Sequence, residues 1–100
     1  MLTIWKFPIR VDDEITCQMP AGARLLTVQV QGAGHGNAVG TPCIWALVNS
    51  EAKKEKRTFR VYGTGHPIEE SEIPCERLLY VGTFQSISGS LVFHLFEVLK

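Results

Sequence analysis

Along most of this chain apolar and polar residues alternate with a period of two, the pattern of β-strands that bury one face. Thr3, Trp5, Phe7 and Ile9 alternate with Lys6, Pro8 and Arg10. Ile15, Cys17 and Met19 alternate with Thr16 and Gln18, and Leu26, Val28 and Val30 with Thr27, Gln29 and Gln31. Thr58, Arg60 and Tyr62 alternate with Phe59 and Val61, and Leu79, Val81 and Thr83 with Tyr80, Gly82 and Phe84. Two runs depart from the rule: Cys43-Ile44-Trp45-Ala46-Leu47-Val48 and Leu91-Val92-Phe93-His94-Leu95-Phe96 are apolar at nearly every position. Such runs predict strands that are central in a sheet, or that have one face in an interface. Pro8 lacks an N–H for a ladder and predicts that the first strand lies at an edge or ends there, while Gly82 predicts a bulge or a close backbone approach.

Between these runs the chain carries turn chemistry, at Val11-Asp12-Asp13-Glu14, Pro20-Ala21-Gly22-Ala23, Asn49-Ser50-Glu51-Ala52 and Ser86-Ile87-Ser88-Gly89-Ser90. Seven strands spaced about ten residues apart, with no amphipathic helix, predict an all-β fold. The expectation is one domain over residues 1–100, mainly antiparallel, built as a sandwich or a partly open barrel. The acidic segment Glu69-Glu70-Ser71-Glu72-Ile73-Pro74-Cys75-Glu76 reads as an exposed connection with room for one helical turn. Residues 32–42 hold four glycines and a proline in eleven positions. The stretch reads as a hairpin loop, with a binding flap as the competing reading.

Composition narrows the function classes. Of the 100 residues 45% are hydrophobic and 20% charged, ordinary for a folded domain, and ten basic side chains balance ten acidic ones. The whole-molecule field therefore gives no general attraction to DNA, RNA or an anionic membrane. The basic cluster Lys53-Lys54-Glu55-Lys56-Arg57 reads as a solvated turn. Cys17, Cys43 and Cys75 form an odd set without CxxC spacing, which argues for reduced thiols and against a disulfide framework or a structural zinc site. The first residues lack a charged stretch followed by an apolar one, and no window approaches the ~20 apolar residues of a membrane span. A soluble, unexported, cytoplasmic protein is expected.

The stretch with the most chemistry is Val61-Tyr62-Gly63-Thr64-Gly65-His66-Pro67-Ile68, where a strand breaks into two glycines, a histidine and a proline. Glycines flanking a threonine can let backbone N–H groups converge on an anion, and His66 can hydrogen-bond or stack on a base. The stretch has neither the lysine of a Walker loop nor the third glycine of a dinucleotide fingerprint, so a tight strand-end turn is the competing reading. Arg60, Arg57 or Lys56 would add charge. His94 shares its strand parity with Val92 and Phe96. If that face meets Trp45 or Tyr80 across a sheet, an aromatic-walled pocket with one titratable group results. The candidate ligand-binding set is Tyr62, Gly63, Thr64, Gly65, His66, Arg60, Trp45 and His94.

An enzyme would need a nucleophile and a positioned base. Cys43 or Cys75 with His66, and Ser88 or Ser90 with His94, are the pairs available, and none sits in a recognised nucleophile context. No catalytic residue, metal ligand or cofactor is assigned, and a non-enzyme is expected.

Taken in order, Met19-Pro20-Ala21-Gly22-Ala23, Cys43-Ile44-Trp45-Ala46-Leu47-Val48, Phe59-Arg60-Val61-Tyr62-Gly63-Thr64-Gly65-His66-Pro67-Ile68, Tyr80-Val81-Gly82-Thr83-Phe84-Gln85 and Leu91-Val92-Phe93-His94-Leu95-Phe96-Glu97 resemble a family of small phage and prophage proteins grouped as a domain of unknown function. The likeness spans nearly the whole chain, although the loop at 32–42 is longer than the short turn of that family. The resemblance implies a phage accessory protein acting in the cytoplasm of the infected bacterial host, and it supplies no activity. The leading expectation is counter-defence, in which the protein sequesters a host-derived nucleotide-type signalling molecule at a subunit interface. Two strands apolar on both faces, in a chain too small to cover both, add the expectation of a homo-oligomer. The alternatives are a protein-interaction module that blocks a host enzyme, and a small hydrolase acting on such a signal.

Overall fold

The computed structural model describes residues 1–32, 40–85 and 91–100. Its elements are β1 (Leu2–Pro8), β2 (Glu14–Pro20), β3 (Arg24–Gln31), β4 (Thr41–Asn49), β5 (Lys54–Gly63), a 3₁₀ turn (Cys75–Arg77), β6 (Leu78–Gln85) and β7 (Val92–Val98). Every pairing is antiparallel. One sheet has three strands in the order β1-β4-β3 and the other has four in the order β2-β5-β7-β6. The two pack face to face as a sandwich, with no closed barrel.

The alternation read from the sequence sets which face each strand buries. From the three-stranded sheet Ile44, Ala46, Val48 and Val28 point into the core, with Trp5, Phe7, Leu25 and Val30 packed around them. From the four-stranded sheet Met19, Phe59, Val61, Phe84 and Leu95 meet them. Phe59 is fully buried. As expected, β4 and β7 are both central strands and β1 lies at an edge. On β4, Cys43, Trp45 and Leu47 face away from the core, opposite Pro8, Lys6 and Ile4. The lysine side chain there lies over the indole, with Nζ 5.9 Å from its centroid, and donates to Gln31 Oε1 at 2.6 Å.

Gly82 fulfils both expectations placed on it. The β6–β7 register shifts between Tyr80 and Gly82, and a Cβ at Gly82 would sit 2.7 Å from Val28 Cγ1. The missing side chain lets β6 close against β3 across the seam between the sheets.

Arg57 departs from the solvated turn. Its parity on β5 is that of Phe59 and Val61, so its side chain enters the interior and meets Glu97, itself only 7% exposed. The guanidinium grips the carboxylate through Nε to Oε2 at 2.5 Å and Nη2 to Oε1 at 2.8 Å, and Nη1 donates to Ala23 O at 2.5 Å. The bond to Glu97 raises the Arg57 pKa above its ordinary value despite burial. Lys53, Lys54 and Lys56 remain exposed. No helix among the described residues is long and apolar enough to cross a membrane.

Candidate functional site

The strand that ends in Gly63-Thr64-Gly65-His66 delivers its side chains to the outer face of the four-stranded sheet. On β5 Thr58, Arg60 and Tyr62 point outward, because Phe59 and Val61 occupy the core. Register places Arg60 beside Phe96 and Tyr62 beside His94 on β7, and these in turn lie beside Tyr80 and Thr83 on β6. The result is an aromatic patch around Phe96. Its ring meets Tyr62 at 5.9 Å and Tyr80 at 5.6 Å, both edge-to-face. A sheet face without a covering layer ordinarily carries polar residues; this one presents three aromatic rings around a histidine.

His94 is held at both ring nitrogens. Nε2 lies 2.7 Å from Thr64 Oγ1 and Nδ1 lies 3.0 Å from Thr83 Oγ1, which is in turn 2.6 Å from the Tyr80 hydroxyl. A neutral imidazole donates from one nitrogen and accepts at the other, so two hydroxyls that can each play either role suit both tautomers. The chain Tyr80–Thr83–His94–Thr64 holds the ring from both sides.

The glycine turn is built by its backbone. His66 N–H donates to Gly63 O at 3.0 Å across a four-residue turn, and Gly65, its third residue, has φ +87°. That is the pattern of a type II turn, which requires positive φ at this position. Thr64 N–H donates to Val92 O at 3.1 Å, which ties the turn to β7 and brings the threonine hydroxyl to His94. The amides of Thr64 and His66 are therefore committed to carbonyls and do not form the anion-cradling concavity considered from the sequence. His66 packs back over Gly63, where a Cβ would meet its Nδ1 at 2.9 Å.

Arg60 lies at the rim, ion-paired with Glu14 at 3.4 Å and Glu72 at 3.6 Å, and its Nε is buried without a hydrogen-bond partner. Below it a cavity of about 200 Å³ is lined by Arg60, Tyr62, His66 and Pro67, together with the carboxylates of Asp13, Glu69 and Glu72. Three carboxylates against one arginine make this cavity a poor seat for a phosphate.

Of the residues singled out from the sequence, Tyr62, Thr64 and His94 form one cluster, with Arg60 two positions along the same strand face and Gly63, Gly65 and His66 forming the turn that positions Thr64. Trp45 does not join them: it faces outward from the three-stranded sheet, on the other side of the sandwich. The conditional partner Tyr80 is the one that meets the histidine face. Thr83 was missed, although its place opposite His94 follows from the pairing of the last two strands. Glu14 and Glu72 come from segments that sequence spacing could not bring near Arg60. Cys43 is buried on β4 in the other sheet, and Cys75 begins the 3₁₀ turn. The loop at 33–39, and Ser88 and Ser90, lie outside the described residues. Among the described residues no group of three His, Cys, Asp or Glu side chains is placed to hold a metal.

Fold and site together define an antiparallel β-sandwich with an aromatic and histidine-bearing outer sheet face. The chain belongs to the family described as Domain of unknown function (DUF7352), whose model matches residues 1–100. No match was found among curated proteins or among solved structures.

Proposed function

We propose that this protein is a non-catalytic binding module that captures a nucleotide-type small molecule on the outer face of its four-stranded sheet. The observation that carries the reading is the arrangement around His94: an imidazole fixed between Thr64 and Thr83, flanked by Tyr62, Phe96 and Tyr80 on a face open to solvent. Aromatic rings on an open antiparallel sheet offer stacking surface to a base, worth about 1–3 kcal/mol per stacked base, and the hydroxyl–imidazole row offers donors and acceptors to its edge. Arg60 at the rim is already ion-paired with Glu14 and Glu72, so the reading rests on stacking and edge hydrogen bonds and not on rim charge. A flat platform contacts one side of a ligand, and a second copy of the chain closing over the same face would supply the other wall, so the reading includes a homo-oligomer. The resemblance to phage accessory proteins extends the proposal to counter-defence in the cytoplasm of an infected bacterium, by sequestration of a host-derived signal.

The test is mass spectrometry of small molecules released when the purified protein is heat-denatured. An intact nucleotide in stoichiometric amount is expected; a co-purifying host protein with no small molecule would favour the interaction-module alternative.

A second reading has its own observation. Thr64 Oγ1 at 2.7 Å from His94 Nε2, with Thr83 at the other nitrogen, is a hydroxyl, a base and an orienting group in the order that nucleophilic catalysis uses. Multiple turnover of a nucleotide ester by catalytic amounts of protein, lost in Thr64→Val, would establish it over sequestration.

A further inference from the structure

β3 and β6 are edge strands of their sheets and lie on the same side of the sandwich, in contact where Gly82 meets Val28. Next to that contact each strand carries a register irregularity, between Leu25 and Thr27 on β3 and between Tyr80 and Gly82 on β6. The extra residues are Leu26 and Val81. Bulges bend and splay the strands that contain them, and two of them facing each other open a cleft of about 450 Å³ between the sheets. That lies within the roughly 300–1,000 Å³ of small-molecule sites.

Leu25, Leu26, Leu79 and Val81 line its walls, with Tyr80 at the rim it shares with the aromatic patch. Leu26, Leu79 and Tyr80 are 46%, 51% and 56% exposed, so apolar surface gathers at the mouth. The Arg57–Glu97 pair lies at the inner end and Arg24 lines the mouth. A guanidinium has five N–H donors, and Arg57 spends three of them, two on Glu97 and one on Ala23 O. Its other two have no partner among the described residues. The lining therefore combines apolar walls, spare donors on a largely buried cation, and two cations against one anion.

We propose that this cleft is a second ligand site, which takes a small carboxylate on an apolar body: the hydrocarbon fills the space between the bulges and the carboxylate oxygens accept the remaining Arg57 N–H groups under the field of Arg24. The site is independent of the His94 face except for Tyr80.

The experiment is an amide-resolved NMR titration of the full chain at neutral pH with octanoate, octanamide and octylamine as probes. Octanoate is expected to give saturable shifts at Leu25, Leu26, Leu79, Val81 and the Arg57 side chain, with octanamide about ten-fold weaker because a neutral amide oxygen accepts a weaker hydrogen bond from a guanidinium than a carboxylate does. Octylamine is expected to give no saturable shift. Because Arg57 variants can fail to fold, the charge is tested through exposed Arg24: Arg24→Glu is expected to weaken octanoate several-fold while the spectrum stays folded. No saturable shift with octanoate, equal binding of octanamide, or an unchanged affinity in Arg24→Glu would each overturn the proposal.

Discussion

Thr64 Oγ1 stands 2.7 Å from His94 Nε2, a contact between a turn residue and the middle of the last strand that exists because Thr64 N–H is bonded to Val92 O. The turn after β5 thus sets one end of the hydrogen-bonded row on the outer sheet. Thr64→Val keeps the shape and removes the hydroxyl. Because the contact is exposed, stability should change by no more than about 1 kcal/mol. Nucleotide affinity, measured by equilibrium titration, should fall with little change in melting temperature.

Gly82 and Val28 supply a prediction about the fold alone. An alanine at 82 would place its Cβ 2.7 Å from Val28 Cγ1, with the Val28 amide 3.5 Å away, so the valine must move. Overpacking of this kind costs about 1–3 kcal/mol, and Val28→Ala in the same chain should return part of it although each change alone destabilises. Urea denaturation of the two single variants and the double variant measures the coupling.

Arg57 and Glu97 form a nearly enclosed ion pair. Glu97→Ala strands a guanidinium inside the sandwich and should cost about 3–5 kcal/mol. The double variant Arg57→Met with Glu97→Leu should recover most of that loss, since well-packed apolar groups often replace such a pair at no net cost. Thermal unfolding of the three proteins decides it.

The cysteines give a pH-dependent expectation. Burial raises the thiol pKa of Cys17 and Cys43 above the ordinary value, with Arg57 and Lys6 respectively opposing the shift, whereas Cys75 is exposed. A raised folded-state pKa means that the unfolded chain loses its protons first. The stabilising contribution is therefore complete below the ordinary thiol pKa and declines as pH rises toward the folded values. Stability should fall on the alkaline side of about pH 9. At pH 8 a thiol reagent followed by mass spectrometry should modify Cys75 rapidly, and Cys17 and Cys43 at a matching rate only in denaturant.

Five of the strands were legible because a single buried face imposes alternation, and β4 and β7 because their runs are apolar almost throughout. The bulge at Gly82, the edge position of β1 and the central positions of β4 and β7 followed from single residues or runs: a missing side chain, a missing N–H, and two stretches of unbroken apolar sequence. What could not be read was pairing. The β5–β7 and β2–β5 ladders join segments far apart in sequence, and nothing local told Trp45 from Tyr80 as the aromatic neighbour of His94. Arg57 was hidden by the lysines before it, since a run of basic residues resembles a solvated turn until strand register shows which one points inward. The positive φ of Gly65 was foreseeable from turn chemistry, while the commitment of the Thr64 and His66 amides depended on where β7 lies.

Calorimetric titration of the purified, nucleotide-free protein with a panel of mono-, di- and cyclic nucleotides tests the central claim most directly. Capture at the outer sheet face requires saturable binding of at least one of them, abolished or weakened by about ten-fold or more in Tyr62→Ala and His94→Ala, and unchanged in Gln29→Ala on the opposite sheet. Binding that survives both substitutions, or no binding across the panel by a protein that also releases no small molecule on denaturation, would contradict it.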